Sequence, residues 1–170
     1  MQRIASWSNI LADSANFGAN MDVIDKNIIN KLQEDGRITN NDLANAVNLS
    51  PSPCLRRVRK LEREGVIREY TAVVDHNKCG WPISVFAMVR LQRHDESTVQ
   101  TFESHVRNLD MILECFLMAG SADYLVHIVG KSLADYEKFV KTKLHTIPGI
   151  ASIESHIAYG TVKRSFQLPK

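Results

Sequence analysis

Between Ser50 and Glu64 the chain reads SPSPCLRRVRKLERE, with cationic side chains at Arg56, Arg57, Arg59, Lys60 and Arg63. Guanidinium and ammonium groups packed this densely suit one chemistry above others, the capture of phosphate oxygens. At 100° per residue, Ser52, Arg56, Arg59, Lys60 and Arg63 fall on one side of a helix and Arg57 on its flank. Cys54, Leu55, Val58, Leu61 and the stem of Glu62 gather opposite. Such a helix can lean on a core through one face and lie along a nucleic-acid backbone through the other. Its start, carrying Ser50 and Ser52, would come close to base edges. Glu62 and Glu64 offset only part of the charge, and the plain alternative is a solvated charged face.

The two prolines in this stretch do not argue against a helix. Ser50 stands at an N-cap position, which puts Pro51 at the first helical residue and Pro53 in the same first turn. The opening N–H groups of a helix have no intrahelical partner, so their loss costs little there and the fixed φ stiffens the start. A second short helix precedes it in NNDLANAVNL, with Leu43, Ala44 and Val47 inward behind Thr39 or Asn40. A first comes before that in MDVIDKNIINKLQEDG, with Ile24, Ile28 and Leu32 at helical spacing, Asp22 as cap and Gly36 as stop. Three short helices, the third amphipathic with a basic face, are what a helix-turn-helix DNA reader requires.

Other reactive residues form no comparable pattern. Cys54, Cys79 and Cys115 are widely spaced, odd in number and in no CxxC arrangement, which points to free thiols in a reducing cytoplasm. The six histidines do not join them in a tetrahedral ligand set; His76 and Cys79 make a weak pair at most, so no metal is expected. Gly-rich phosphate loops and nucleophile elbows are missing, and no acid/base pair stands at a fixed spacing. The sequence therefore reads as a non-enzyme without a cofactor.

After Gly65 the period changes. VIREYTAVVD at 66–75 alternates and is β-branched, as a strand should be, and HNKCGWP at 76–82 reads as a connection. The rest runs strand (83–92), helix (96–109), strand (111–118), strand (124–129), helix from Ser132 and Asp135 to Ile147, and a last strand over 150–164. That βαββαβ order is the ferredoxin-like fold, with both helices on one face of the sheet. Phe86, Met88, Phe116 and Met118 then make the opposite face apolar, which predicts an oligomer.

With 170 residues, 44% of them hydrophobic and 24% charged, the composition suits a globular protein of one or two domains. The net charge of +2 excludes a polycation, so a nucleic-acid role must rest on local clustering. No apolar run reaches membrane-spanning length; the longest, ISVFAMV, is strand-sized. Residues 1–20 lack a sustained period and read as a flexible leader rather than a secretory signal. The expected domains are thus residues 21–65 as the helix-turn-helix, 66–82 as linker strand and hinge, and 83–170 as the ferredoxin-like domain.

From Met21 onward the chain resembles the leucine-responsive regulatory protein / asparagine-operon regulator (Lrp/AsnC) family of bacterial and archaeal transcription regulators. The motifs that carry this are IDKNIINKLQEDGRITNNDLANAVNLSPSPCLRRVRKLEREGVI, YTAVVD, AGSADYLV and the IPGI turn, in that order. The resemblance implies a winged-type helix-turn-helix, a linker strand pairing with its twin over Ile67–Val74, and a C-terminal effector domain that dimerises through its sheet, often assembling further into tetramers or octamers. It makes Asn40 to Val47 the positioning helix and Leu49 to Glu64 the recognition helix with its turn. AGSADYLV becomes an effector loop where an amino acid binds between subunits, with Met118, Gly120, Ser121, Asp123 and Tyr124 as candidate contacts. Gly120 would allow close backbone approach, and Asp123 would meet the ligand's ammonium group.

Where the family commonly has an acidic or polar residue after that glycine and an aromatic one before the aspartate, this chain has Ser121 and Ala122. A reshaped pocket, or a plain hairpin connection, is the alternative at this loop. The expected function is therefore a cytoplasmic, nucleoid-associated, sequence-specific regulator that binds double-stranded DNA as a homo-oligomer under control of a small amino acid. The alternative is an effector-independent, DNA-organising nucleoid protein.

Overall fold

In the computed structural model, residues 21–169 are described, and the leader expected over residues 1–20 lies outside them. The chain divides into two compact units, one comprising the residues up to Ala72 with the segment from Lys163, the other Val73–Val162.

The N-terminal unit is built from three helices: α1 (Val23–Glu34), α2 (Asn40–Ala46) and α3 (Pro51–Arg63). Asp22 caps α1 by accepting the Asp25 N–H at 2.8 Å, and Thr39 caps α2 by accepting that of Asp42 at 3.2 Å. Ser50 has the extended backbone of an N-cap, yet its side chain makes no capping bond. The prolines explain this. The hydroxyl would normally accept from the second or third helical residue; the third is Pro53, which has no N–H, so only Ser52 is left to donate. Asn48 makes the tight turn between α2 and α3 with φ of 54°, a left-handed conformation that asparagine tolerates better than most residues. Ile28, Leu43, Ala44, Val47, Cys54, Val58 and Leu61 form one buried cluster between the helices.

Gly65, at φ of 71°, ends α3. The expected strand at 66–75 does not form within the chain: these residues belong to no ladder, and Tyr70, Val73 and Val74 stay exposed. An alternating sequence needs a neighbouring strand to become one, and the described residues supply none here.

The C-terminal unit has the expected order: β1 (Ile83–Leu91), α4 (Glu96–Val106), β2 (Ile112–Leu117), β3 (Tyr124–Gly130), α5 (Leu133–Phe139) continuing as one π-helical turn at Val140–Leu144, and β4 (Ile150–Ile157). The sheet is antiparallel in the order β2-β3-β1-β4. Val85, Ala87, Val89, Tyr124, Val126 and Ile128 alternate onto one face, where Phe102, Val106, Tyr136, Phe139 and Leu144 cover them in a continuous core. β4 is shorter than the 150–164 expected. Among the described residues its neighbour is β1, and the ladder ends at Val85 opposite Ile157, with the Ala158 N–H still donating to the Ser84 carbonyl at 2.9 Å.

Candidate functional site

The basic face of α3 is built as the spacing predicts, with two exceptions. Arg56, Arg59 and Arg63 are exposed, Lys60 is half-buried 4.0 Å from Glu64, and Ser50 and Ser52 stand exposed at the helix start. Cys54, Val58 and Leu61 are buried beneath. Leu55, expected among them, is exposed, because it lies about 90° around the helix from the centre of that trio. Arg57 is the other exception. Its Nη1 donates to Asp25 Oδ1 at 2.7 Å and to Asp22 Oδ2 at 2.8 Å.

These ion pairs raise the Arg57 pKa further, first through the hydrogen bond to Asp25, and the Asp22 carboxyl is lowered, first by the Asp25 N–H it caps. A cleft of about 530 Å³ opens between Asp22, Asp25, Arg56, Arg57, Lys60 and Arg63. The sequence held a signal for Arg57 that its basic neighbours mask. At 100° per residue it sits only about 60° from Cys54, nearer the buried side than any other cation of this helix.

Asn40 fastens the helix pair together, its Nδ2 donating to the Pro51 carbonyl at 3.0 Å. The start of α2 is thereby held to the start of α3, next to the two serines.

The loop Met118–Asp123 in the C-terminal unit joins β2 to β3. Gly120 and Ser121 are exposed and Met118 is half-buried, but Ala122, Asp123 and Tyr124 are buried. Asp123 points inward: one carboxylate oxygen accepts the Leu91 N–H at 2.8 Å, and the other meets His94 Nε2 at 2.9 Å. Its backbone N–H donates to the Val89 carbonyl at 2.9 Å. The Tyr124 ring packs against Phe102 at 4.5 Å, and its hydroxyl donates to Glu103. Burial, and then the Glu103 carboxylate, push that phenol well above the ordinary tyrosine range. Met118, Gly120 and Ser121 thus form the outer part of the loop, with Asp123 and Tyr124 turned into the protomer.

The open sheet face carries a row that the sequence reading missed. Glu114, His127, Phe86 and His156 lie opposite one another across four strands. His127 bonds Ser84 at 2.8 Å and Glu114 at 3.2 Å, and it stacks on Phe86 at 4.6 Å. Only strand register could reveal this, since the four residues are far apart in sequence. Among the described residues no cluster of histidine, cysteine and acidic side chains is arranged to hold a metal.

Two family models match the chain: a winged helix-turn-helix DNA-binding domain over residues 21–68 and the Lrp/AsnC ligand-binding domain over residues 84–168. The chain belongs to the Lrp/AsnC family. It is 38% identical over 151 residues to the leucine-responsive regulatory protein of Escherichia coli K12, covering 89% of this chain and 92% of that protein. A transcriptional regulator of Neisseria meningitidis, solved in complex with L-Met, superposes with a TM-score of 0.81 at 32% identity over 88% of this chain and 97% of its own. An AsnC-family regulator of Agrobacterium tumefaciens gives 0.80 at 34% identity, with the same shares covered. This Lrp/AsnC protein is accordingly a transcription regulator with a helix-turn-helix DNA-binding part and a ligand-binding part, and its family is not one of enzymes.

Proposed function

We propose that this Lrp/AsnC protein is a sequence-specific regulator that binds double-stranded DNA through α3 and whose assembly or DNA affinity is set by a small amino acid bound between subunits of its C-terminal part. The observation that carries the DNA half is the division of α3: Cys54, Val58 and Leu61 close the core while Arg56, Arg59 and Arg63 face outward beside Ser50 and Ser52. Arg56, Arg59, Lys60 and Arg63 hold phosphates in this reading, and the serines stand near base edges. Support for the effector half comes from the ligand-binding family domain and from the Neisseria relative's complex with L-Met. Met118, Gly120 and Ser121 are the residues of the loop best placed to meet such a ligand.

The open sheet face supports assembly. Phe116 is 48% exposed, with Phe86, Met88 and Leu125 half-buried beside it. Covering them with a second copy gives a dimer, the starting point for tetramers or octamers. Two recognition helices related by a two-fold axis would enter major grooves about one helical turn apart. Such a protein works at the nucleoid, in the cytoplasm.

One observation favours a second reading, an effector-independent protein that organises DNA. Both carboxylate oxygens of Asp123 are engaged inside the protomer, so an ammonium group must displace His94 to reach it. A binding isotherm decides between the two readings. The DNA is a fragment from upstream of the protein's own gene, set against random DNA at fixed salt, with each of the twenty amino acids added in turn. Saturable preference for the fragment, shifted by one amino acid, is the expected result. Equal binding to random DNA, indifferent to all twenty, favours the nucleoid protein.

A further inference from the structure

Among the described residues, Arg57 is the one of the five cations on α3 held by carboxylates from the start of another helix. The same nitrogen donates to Asp25 at 2.7 Å and to Asp22 at 2.8 Å. The Asp25 side chain is only 2% exposed. The second oxygen of Asp22 caps α1 through the Asp25 N–H, so one carboxylate both starts α1 and holds α3.

From this geometry we infer that Arg57 is a positioning residue and not a phosphate ligand: it ties the DNA-facing helix to the first turn of α1 and so sets the angle at which Arg56, Arg59 and Arg63 meet the duplex. The inference rests on the reading of α3 as the helix that faces DNA. A phosphate that drew Arg57 away from α1 would leave the buried Asp25 carboxylate without its countercharge, and breaking a pair with a buried member is costly. Two carboxylates beside Arg57 also offset its charge, which leaves Arg56, Lys60 and Arg63 as the cations of this cleft not paired with Asp22 and Asp25. The buried contacts of this 13-residue helix are Cys54, Val58 and Leu61, and Asn40 holds its first turn, so Arg57 adds a polar anchor toward the start of α1.

The test uses the full chain and a double-mutant cycle in DNA binding, read at several salt concentrations. Arg57→Met and Asp25→Asn should each weaken binding to the fragment from upstream of the gene by roughly tenfold, and the double variant should be no weaker than Arg57→Met alone. The slope of log affinity against log salt should stay that of the parent for all three, while preference over random DNA falls. Arg57→Lys, which keeps a donor between the two carboxylates, should restore most of the affinity.

Arg56→Ala is the reference, and its slope should fall by about one phosphate contact. A slope that falls with Arg57→Met and not with Asp25→Asn overturns the inference, as does tighter binding once Asp25→Asn releases the guanidinium. Should circular dichroism find either variant unfolded, Asp22→Asn takes its place. Its carboxylate is half-exposed, a loss of a few fold at unchanged slope is expected, and tighter binding again overturns the strut. If Arg56→Ala and Arg59→Ala also leave the slope untouched, the reading of α3 as the DNA-facing helix fails, and the inference falls with it.

Discussion

The carboxylate of Asp123 accepts the backbone N–H of Leu91 across 2.8 Å, joining the first residue before β3 to the last residue of β1. Leu91 is 5% exposed, so water cannot replace that acceptor. Asp123→Ala should therefore destabilise the C-terminal unit by about 1–3 kcal/mol, the cost of a buried donor left unmade. Asp123→Asn, which retains an acceptor oxygen, should lose less. Urea titrations of the three proteins measure this, and an alanine variant as stable as the parent would show that Leu91 finds another partner.

Arg56 and Arg59 are exposed on the side of α3 opposite Cys54 and Leu61, and no core residue depends on them. Replacing each by alanine should leave the thermal midpoint within experimental scatter and weaken DNA binding. The log–log salt slope should drop by about 0.9 for each phosphate contact removed. Unchanged affinity in both variants would move the DNA-facing surface to another side of the helix.

How much of this was legible in the sequence follows the physics of each element. Caps at Asp22, Thr39 and Ser132 were readable because capping is local: an acceptor side chain and an N–H three residues on. The βαββαβ order was readable because each element is long enough to show its period. The end of β4 was not, since Ala158 to Arg164 look as strand-like as what precedes them and the ladder with β1 stops at Ile157. The inward turn of Asp123 escaped for a similar reason. Its partners Leu91 and His94 lie about thirty residues away, and a polar residue in a loop reads as exposed. Leu55 was misplaced by dividing a helix into two halves, when it sits on the boundary between them; Arg57 was read on the flank, but its pairing with Asp22 and Asp25 was not visible in α3 alone.

Phe116 tests the assembly proposal with little risk to the protomer. It is 48% exposed on the open sheet face, opposite Leu125, so a lysine there keeps the strand and puts a charge where an apolar partner would sit. Phe116→Lys should shift the protein to monomer in sedimentation while its far-ultraviolet dichroism stays that of the parent. DNA binding should weaken with it, because two linked recognition helices lose their mutual effective concentration. An unaltered sedimentation profile would place the dimer contact elsewhere.

Gly149 ends the segment before β4 with φ of 87°, and a Cβ there would come within 2.6 Å of the Thr98 methyl. Thr98 cannot simply swing aside, because its hydroxyl bonds Asp95 at the cap of α4. Gly149→Ala thus meets a backbone penalty and a clash together, about 2–3 kcal/mol in sum. The Gly149 carbonyl also accepts the Gln92 N–H at 2.8 Å, so the loss should spread to the far end of β1. Amide exchange would register it as reduced protection at Gln92. A variant with full protection and parental stability would mean that α4 can shift to make room.

Tyr124 gives the C-terminal unit a built-in alkaline limit. Its phenol is 2% exposed and donates to Glu103 at 3.1 Å, and burial with that carboxylate raises its pKa in the folded state. The folded chain then keeps a proton that the unfolded chain gives up from about pH 10 upward. Where the native state binds more protons, stability falls as pH rises. The contribution is therefore whole at neutral pH and is lost progressively above about pH 10, through the folded value. Tyr124→Phe should be less stable by about 1 kcal/mol at pH 7, where it lacks the hydrogen bond, and should lose less on going to pH 11. Urea titrations from pH 7 to 11 should bring the two stability curves together toward the alkaline end. Curves that stay parallel over that range would mean the phenol ionises as readily in the folded chain as in the unfolded one.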